Sequence, residues 1–213
     1  TIATARFVLR PLALRDVTAL TRYRSMPAVA MYQEWALPYT RDLAQALHDE
    51  LAGTDGPTPA VWVQLAITDA DDRLVGDLAV WLDESASLAM IGYTLAPKHQ
   101  GKGYATEAVG ALLDWLVAHR VHRVAATLDP LNLASARVLE RCGFRYTGTA
   151  RSAALVRGTW EDDARFEILA DEWKAWRRAK PVKRVDLVEI TRDNVRAVLE
   201  LDRAFSQRRF VSS

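Results

Sequence analysis

The stretch that most constrains this chain is Leu95-Ala-Pro-Lys-His-Gln-Gly-Lys-Gly-Tyr-Ala-Thr-Glu107. It runs from a strand, through a turn with two glycines, into a helix. Gly101 and Gly103 permit a tight backbone path and keep side chains away from the helix mouth. The first N–H groups of a helix lack internal partners, and with the helix dipole they suit an anion such as a pyrophosphate. Lys98 and Lys102 add positive charge nearby. A Walker-type loop needs Gly-Lys followed by Ser or Thr, whereas Gly103 follows Lys102 here. A dinucleotide fingerprint needs a third glycine, which is missing. On the residues alone, the same turn also serves as an ordinary start to a helix.

The surrounding segments read as mixed helices and strands. Ala105, Val109, Leu112, Leu113 and Leu116 fall at helical spacing, which predicts an amphipathic helix over 104–119. Val61, Val63, Leu65 and Ile67 alternate onto one face, 69–72 turns, and 74–82 returns as a hairpin. A third strand covers 88–95 after the polar tip 83–87. Upstream, 7–11 reads as a strand and 16–24 as a helix, and Thr40 caps a helix over 41–51. Downstream, 124–128 is a strand, and Asn132 opens a helix that Gly143 stops. Two closing strands are expected at 144–149 and 165–169, with a last helix at 171–178. This order predicts an α+β, or mixed α/β, layered fold.

Composition narrows the function classes. Lys+Arg 28 against Asp+Glu 27 leaves a net charge of +1, so no global field holds a nucleic acid. The single Cys142 excludes an internal disulfide and a cysteine-rich zinc site, and no metal is expected. No apolar run approaches the ~20 residues that span a bilayer. The opening Thr1-Ile-Ala-Thr-Ala-Arg lacks an apolar signal core. A cytoplasmic protein with no membrane partner is the expectation.

Gln100-Gly-Lys-Gly-Tyr-Ala105 is similar to the (Gln/Arg)-x-x-Gly-x-(Gly/Ala) signature of the GNAT superfamily of acetyl-CoA-dependent N-acetyltransferases. Asn132-Leu-Ala-Ser135, followed by Arg141-Cys-Gly-Phe144, resembles that family's second signature. The similarity extends from about Phe7 to Trp176. Ile91-Gly-Tyr-Thr-Leu-Ala-Pro97 and the run from Gly158-Thr-Trp to Asp171-Glu-Trp173 resemble the branch that acetylates N-termini of ribosomal proteins. The resemblance implies a GNAT-like fold: a central mixed, mostly antiparallel sheet, splayed between its fourth and fifth strands, with helices on both faces. It implies acetyl-CoA as co-substrate, its pantetheine paired with the backbone of Tyr93, Thr94 and Leu95. Gln100, Gly101, Lys102, Gly103, Tyr104, Ala105 and Thr106 would take the pyrophosphate, with Asn132 and Ser135 completing the site. The acceptor would be a small-molecule amine or a protein N-terminus.

The implied reaction is direct attack of a neutral amine on the thioester in a ternary complex. A backbone N–H near Thr94 or Leu95 would hold the developing oxyanion. The family's tyrosine donor to the leaving thiol falls on Leu139, which cannot donate. Ser135 is the remaining candidate, and it also suits a helix start. Met90 stands where related sequences carry a glutamate. Asp83 and Glu84 are the substitute bases, at the end of a strand that puts Asp77 and Trp81 on one face; they also suit a solvated hairpin tip. Tyr32 and Trp35, where the family's first two helices meet, and Trp81 are expected either to shape the amine pocket or to pack the core. Arg137 and Arg141, one turn apart, either reach a CoA phosphate or form a solvated face. Cys142 reads as a small buried hydrophobe. Leu139 and Met90 also admit a second reading, a catalytically weak acyl-CoA-binding or partner-binding module.

The chain of 213 residues exceeds one ordinary domain. Slid back by 178 positions, Leu187 falls on Leu9, Ile190 on Leu12, Asn194 on Asp16, Val195 on Val17, Ala197 on Ala19 and Val198 on Leu20. The opening strand and helix are thus repeated. The expected organisation is an acetyltransferase domain over 1–178, a linker over 179–184, and a strand–helix remnant or start of a second GNAT-like domain over 185–213. One strand and one helix bury no core alone. A fragment of a tandem protein, a homodimer, or docking through this segment would follow; a chance match in a solvated tail is the other reading.

Overall fold

In a computed structural model of the chain, the described residues are 1–179 and the isolated positions 191, 193 and 196. The repeat expected over 185–213 lies outside the described residues, those positions aside.

Eight strands form one sheet: β1 (Ile2–Ala3), β2 (Val8–Pro11), β3 (Trp62–Thr68), β4 (Leu74–Leu82), β5 (Leu88–Leu95), β6 (Arg123–Leu128), β7 (Arg145–Val156) and β8 (Thr159–Leu169). Their spatial order is β1-β2-β3-β4-β5-β6-β8-β7. Neighbours pair antiparallel except β5 and β6, which run parallel. A parallel pair needs a crossover. The helix α4 (Tyr104–Ala118) supplies it.

Period decides which face each element covers. In α4, Ala105, Ala108, Val109, Leu112, Leu113 and Leu116 are all buried, a single stripe at i, i+3, i+4 spacing. That stripe packs on Val63, Leu65, Ile67, Leu78, Val80, Ala89 and Ile91, the residues that alternate to the same side of β3, β4 and β5. Ala136, Leu139 and Cys142 from α5 (Leu133–Arg141) and Trp173 from α6 (Ala170–Arg178) join this core. The other face of the sheet carries α1 (Val17–Arg24), α2 (Pro27–Ala30) and α3 (Arg41–Glu50). There Leu12, Val17, Leu20, Tyr23 and Tyr39 cluster on Ala66. Helices therefore cover both faces, and the fold is the splayed mixed sheet that the resemblance implies.

The same face buries charge. Arg24 Nη2 lies 2.7 Å from Asp77 Oδ2, with the two side chains 8% and 1% exposed. Tyr23 and Gln64 also donate to this carboxylate.

The closing strands are longer than expected. Sequence patterning predicts 144–149 and 165–169, whereas β7 and β8 extend to a two-residue turn at Arg157 and Gly158. Both turn residues have positive φ, 48° and 86°. Two such residues give a turn whose twist suits a hairpin. The outer part of β7 is mostly exposed and interrupted between Ala150 and Ala154, so it shows no apolar alternation. Arg157 at the tip donates to the carbonyls of Ala30 and Met31, both at 3.0 Å. The short β1 and α2 were also absent from the predicted elements.

Candidate active site

β5 pairs with β6 at Leu88, Ala89 and Met90 only. From Ile91 to Leu95 the edge facing β6 has no strand partner among the described residues. A cleft of about 440 Å³ opens there. Tyr93, Thr94 and Leu95 line it from the strand edge, and Asn132 and Ser135 from the start of α5. Gln100, Gly101, Gly103, Tyr104, Ala105 and Thr106 line its far end.

That far end is the mouth of α4. Gly101 and Gly103 have φ of +72° and +76°, the left-handed region that a Cβ disfavours. No side chain caps the helix, and Glu107 N–H is bonded to the Gly103 carbonyl at 3.1 Å. The N–H groups of Tyr104, Ala105 and Thr106 precede that bond and have no partner inside the helix. Thr106 Oγ1 is buried without a hydrogen-bond partner. Gln100 Nε2 donates to the Leu95 carbonyl at 3.0 Å and folds the turn back onto the strand.

An acidic residue in this first turn would repel an anion, but Glu107 is neutralised. Thr4 Oγ1 donates to one of its oxygens at 2.6 Å and Arg6 Nε to the other at 2.6 Å. Burial opposes its charge, and the Thr4 and Arg6 hydrogen bonds outweigh that and hold its carboxyl below the usual range. Arg6 also lies 4.7 Å over the ring of Tyr104. The unpaired strand edge, the uncapped helix and the free hydroxyl fit an extended ligand with amides at one end and phosphates at the other.

Ser135 and Tyr93 meet across the cleft. Ser135 Oγ donates to Tyr93 Oη at 2.8 Å. Asn132 Oδ1 caps α5 by accepting from the Ser135 N–H at 3.1 Å. Leu139, one turn on, is fully buried and faces the core. Tyr32 and its neighbour Gln33 line the other end, with Ala28 and Val29 from α2.

Several expected residues lie elsewhere. Asp83 and Glu84 sit at the β4–β5 turn, next to Leu82, which pairs with Ala89. At about 3.3 Å per residue, that turn, level with Leu88, is roughly 20 Å from Thr94. Neither borders the cleft. Asp83 is also committed: its carboxylate accepts from Ser85 Oγ at 2.5 Å and Leu88 N–H at 2.7 Å, and these bonds hold its pKa below the usual value. The structure does not bring this pair to the cleft. Trp35 Nε1 donates to the Arg24 carbonyl at 3.1 Å, and Arg24 stacks 4.5 Å over its ring, so it packs beside the buried ion pair. Trp81 stands between Trp62 and Met90 in the sheet register, away from the cleft. The Lys102 side chain is exposed outside the cleft lining, and its carbonyl accepts from Arg6 Nη1 at 3.3 Å.

Arg137 and Arg141 both line the cleft wall. Ala28, Val29 and Gln33 carried no sequence signal beyond Pro27 at the first position of α2. Arg6 gave none at all, because its partner Glu107 is 101 positions away. Asp163 on β8 carries no sequence signal either. Burial, and then the charges of Glu34, Asp129 and Glu161, hold its carboxyl above the usual range. Glu34 follows the cleft-lining Gln33, and Asp129 precedes the cleft-lining Asn132 by one turn of chain. Among the described residues no three His, Cys, Asp or Glu converge as a metal group, and no helix is long and apolar enough to cross a membrane.

Residues 6–145 match the model of the acetyltransferase (GNAT) domain. YjcK of Bacillus subtilis, named as a probable N-acetyltransferase, is 40% identical over 105 residues, 48% of this chain and 58% of that protein. The [ribosomal protein uS5]-alanine N-acetyltransferase of Escherichia coli is 32% identical over 39% of this chain and 43% of its own length. A GNAT-family acetyltransferase structure from Bacillus anthracis superposes with a TM-score of 0.71 at 25% identity, covering 80% of this chain and 98% of that one. The Vibrio cholerae spermidine N-acetyltransferase structure in complex with CoA and spermine shares the fold, with a TM-score of 0.68 at 21% identity over 79% of this chain and 98% of that one. A splayed β5–β6 junction above an uncapped α4, joined to this match over most of the described residues, places the chain in the GNAT acetyltransferase domain family.

Proposed function

We propose that the protein transfers an acetyl group from acetyl-CoA to a primary amine by direct attack. The single observation that carries this reading is the unpaired edge from Ile91 to Leu95 beside the uncapped mouth of α4. In this reading the edge pairs with the amides of the pantetheine arm. The N–H groups from Gly101 to Thr106 take the pyrophosphate, with Arg137 and Arg141 on the same wall. A backbone N–H at Thr94 or Leu95 holds the thioester oxygen as it gains charge. Ser135 faces the sulfur.

The amine enters from the side of Tyr32 and Gln33. A base takes the ammonium proton, directly or through water. Two relatives are named for amine acceptors, an alanine of ribosomal protein uS5 and spermidine, which supports a protein N-terminus or a small polyamine.

The test measures CoA binding and thiol release from acetyl-CoA with a panel of amines. The panel holds an alanine-initiated peptide, spermidine, free amino acids and an aminoglycoside. Turnover on one of them is expected. Tight CoA binding with no thiol release on any amine would leave the binding-module reading in its place. Cytoplasmic location and use of the C-terminal segment for docking belong to the same proposal.

A further inference from the structure

Tyr93 and Ser135 form a closed ring of two hydrogen bonds. The Ser135 hydroxyl donates to the Tyr93 oxygen at 2.8 Å, and the Tyr93 hydroxyl donates to the Ser135 carbonyl at 2.9 Å. The residues are 42 positions apart, one on β5 and one on α5. They bridge the opening that forms where β5 leaves β6. Both border the cleft.

The ring poses a chemical problem. A serine hydroxyl carries one proton. In this arrangement that proton is already given to Tyr93, so Ser135 offers a departing sulfur only lone pairs. Leu139 supplies no substitute, being apolar and fully buried. When Ser135 turns its proton to a thiolate, a hydrogen bond received by its oxygen from elsewhere strengthens it as a donor. Tyr93 Oη sits at hydrogen-bond distance from that oxygen and has a proton to give.

We propose that Tyr93 is the positioning residue for the leaving thiolate, acting through Ser135. This rests on the acetyl-transfer reading above. As the amine nitrogen bonds to the acetyl carbon, the C–S bond breaks and its electron pair goes to sulfur. The Ser135 O–H rotates from Tyr93 to the sulfur. The Tyr93 O–H swings from the Ser135 carbonyl to the Ser135 oxygen. No O–H bond breaks in either residue, and the amine's proton leaves by its own base. The thiolate departs with a hydrogen bond from Ser135, which in turn is held by Tyr93.

The environment keeps this pair in its donor form. Burial pushes the Tyr93 phenol well above its ordinary range, although the Ser135 hydrogen bond opposes the shift. The proton therefore stays on Tyr93 across the whole working range of pH. A simple mechanical tether between β5 and α5 would require only a packed ring and would leave the sulfur unaffected.

The experiment titrates the thiol of bound CoA by its thiolate absorbance, in wild type, Tyr93→Phe, Ser135→Ala, Ser135→Thr and the double variant Tyr93→Phe/Ser135→Ala. No acceptor amine is required. In wild type the bound thiol should ionise below free CoA. A charge-assisted hydrogen bond lost should raise that pKa by about one unit in Tyr93→Phe and in Ser135→Ala. The double variant should rise no further than Ser135→Ala, because Tyr93 acts on the sulfur only through Ser135. Ser135→Thr keeps the hydroxyl and should titrate like wild type. If the variants bind CoA as wild type does and Tyr93→Phe leaves the thiol titration unmoved, the role given to Tyr93 is overturned. Failure of wild type itself to bind CoA would instead overturn the acetyl-transfer reading, and this inference with it.

Discussion

The carbonyl oxygen of Thr94 comes within 2.4 Å of the point where a Cβ on Gly76 would stand. Leu95 Cδ2 is 2.6 Å from the same point. β4 is therefore side-chain-free opposite Leu95, at the end of the unpaired edge of β5. Gly76→Ala must push the two strands apart. Overpacking of this kind costs about 1–3 kcal/mol. A lower melting temperature together with weaker CoA binding is expected, by thermal melts and calorimetric titration. Unchanged values for both would mean that the junction tolerates the methyl group.

Gly103 tests the helix mouth differently. The nearest atom to a Cβ there is Arg6 Nη2 at 3.8 Å, so space is available and the strain lies in the φ of +76°. Gly103→Ala should cost about 1 kcal/mol. That corresponds to a melting shift of about 2–4 °C. CoA affinity should fall about fivefold, whereas Lys102→Ala, at an exposed side chain outside the lining, should leave it nearly unchanged.

The Arg24–Asp77 pair is a second test of packing. Removing one partner strands a buried charge, at a cost of about 3–5 kcal/mol. Asp77→Ala should therefore lower the urea midpoint strongly, leaving Arg24 without its anchor between Trp35 and Tyr39. Adding Arg24→Met should recover part of the loss, since the stranded charge is then gone. Two independent, additive losses would show that the ion pair is not a unit.

Cys142 gives stability an alkaline limit. Burial pushes its thiol up to about 12. An unfolded thiol ionises near about 8.5. As pH rises past that value the unfolded chain loses its proton first, so this group's contribution is intact below about 8.5 and declines on the way to 12. The loss approaches 1.4 kcal/mol per pH unit at most. Urea unfolding at pH 7.5 and at pH 9.5 should differ by about 1 kcal/mol more in wild type than in Cys142→Ala. An equal difference in both would assign the decline to other groups. The folded thiol should also resist alkylation, being 1% exposed.

Local pattern made α4, β3 to β5 and the two glycines legible, because each rests on neighbours within a few residues. The stripe from Ala105 to Leu116 repeats at a period that only a helix uses. The outer half of β7 was illegible for the opposite reason. Its pairing comes from β8 and its side chains face solvent, so nothing apolar marks it. Asp83 and Asp77 show a further limit. Alternation puts both on one face of a strand, whereas β4 ends at Leu82 and leaves Asp83 in the turn; nor does alternation say which end of the strand meets the cleft. The partners of Asp77 and Glu107 come from distant parts of the chain, 53 and 101 positions away, and a single sequence does not join them.

The edge from Ile91 to Leu95 also bears on solubility. A row of free backbone donors and acceptors ordinarily invites another chain to add a strand, the first step of aggregation. Here the row opens into a cleft whose walls are the first turn of α4 and the face of α5. A neighbouring strand would have to bring its own side chains, and the sheet behind it, between those walls. A recessed edge of this kind is less open to strand addition than one at the rim of a sheet.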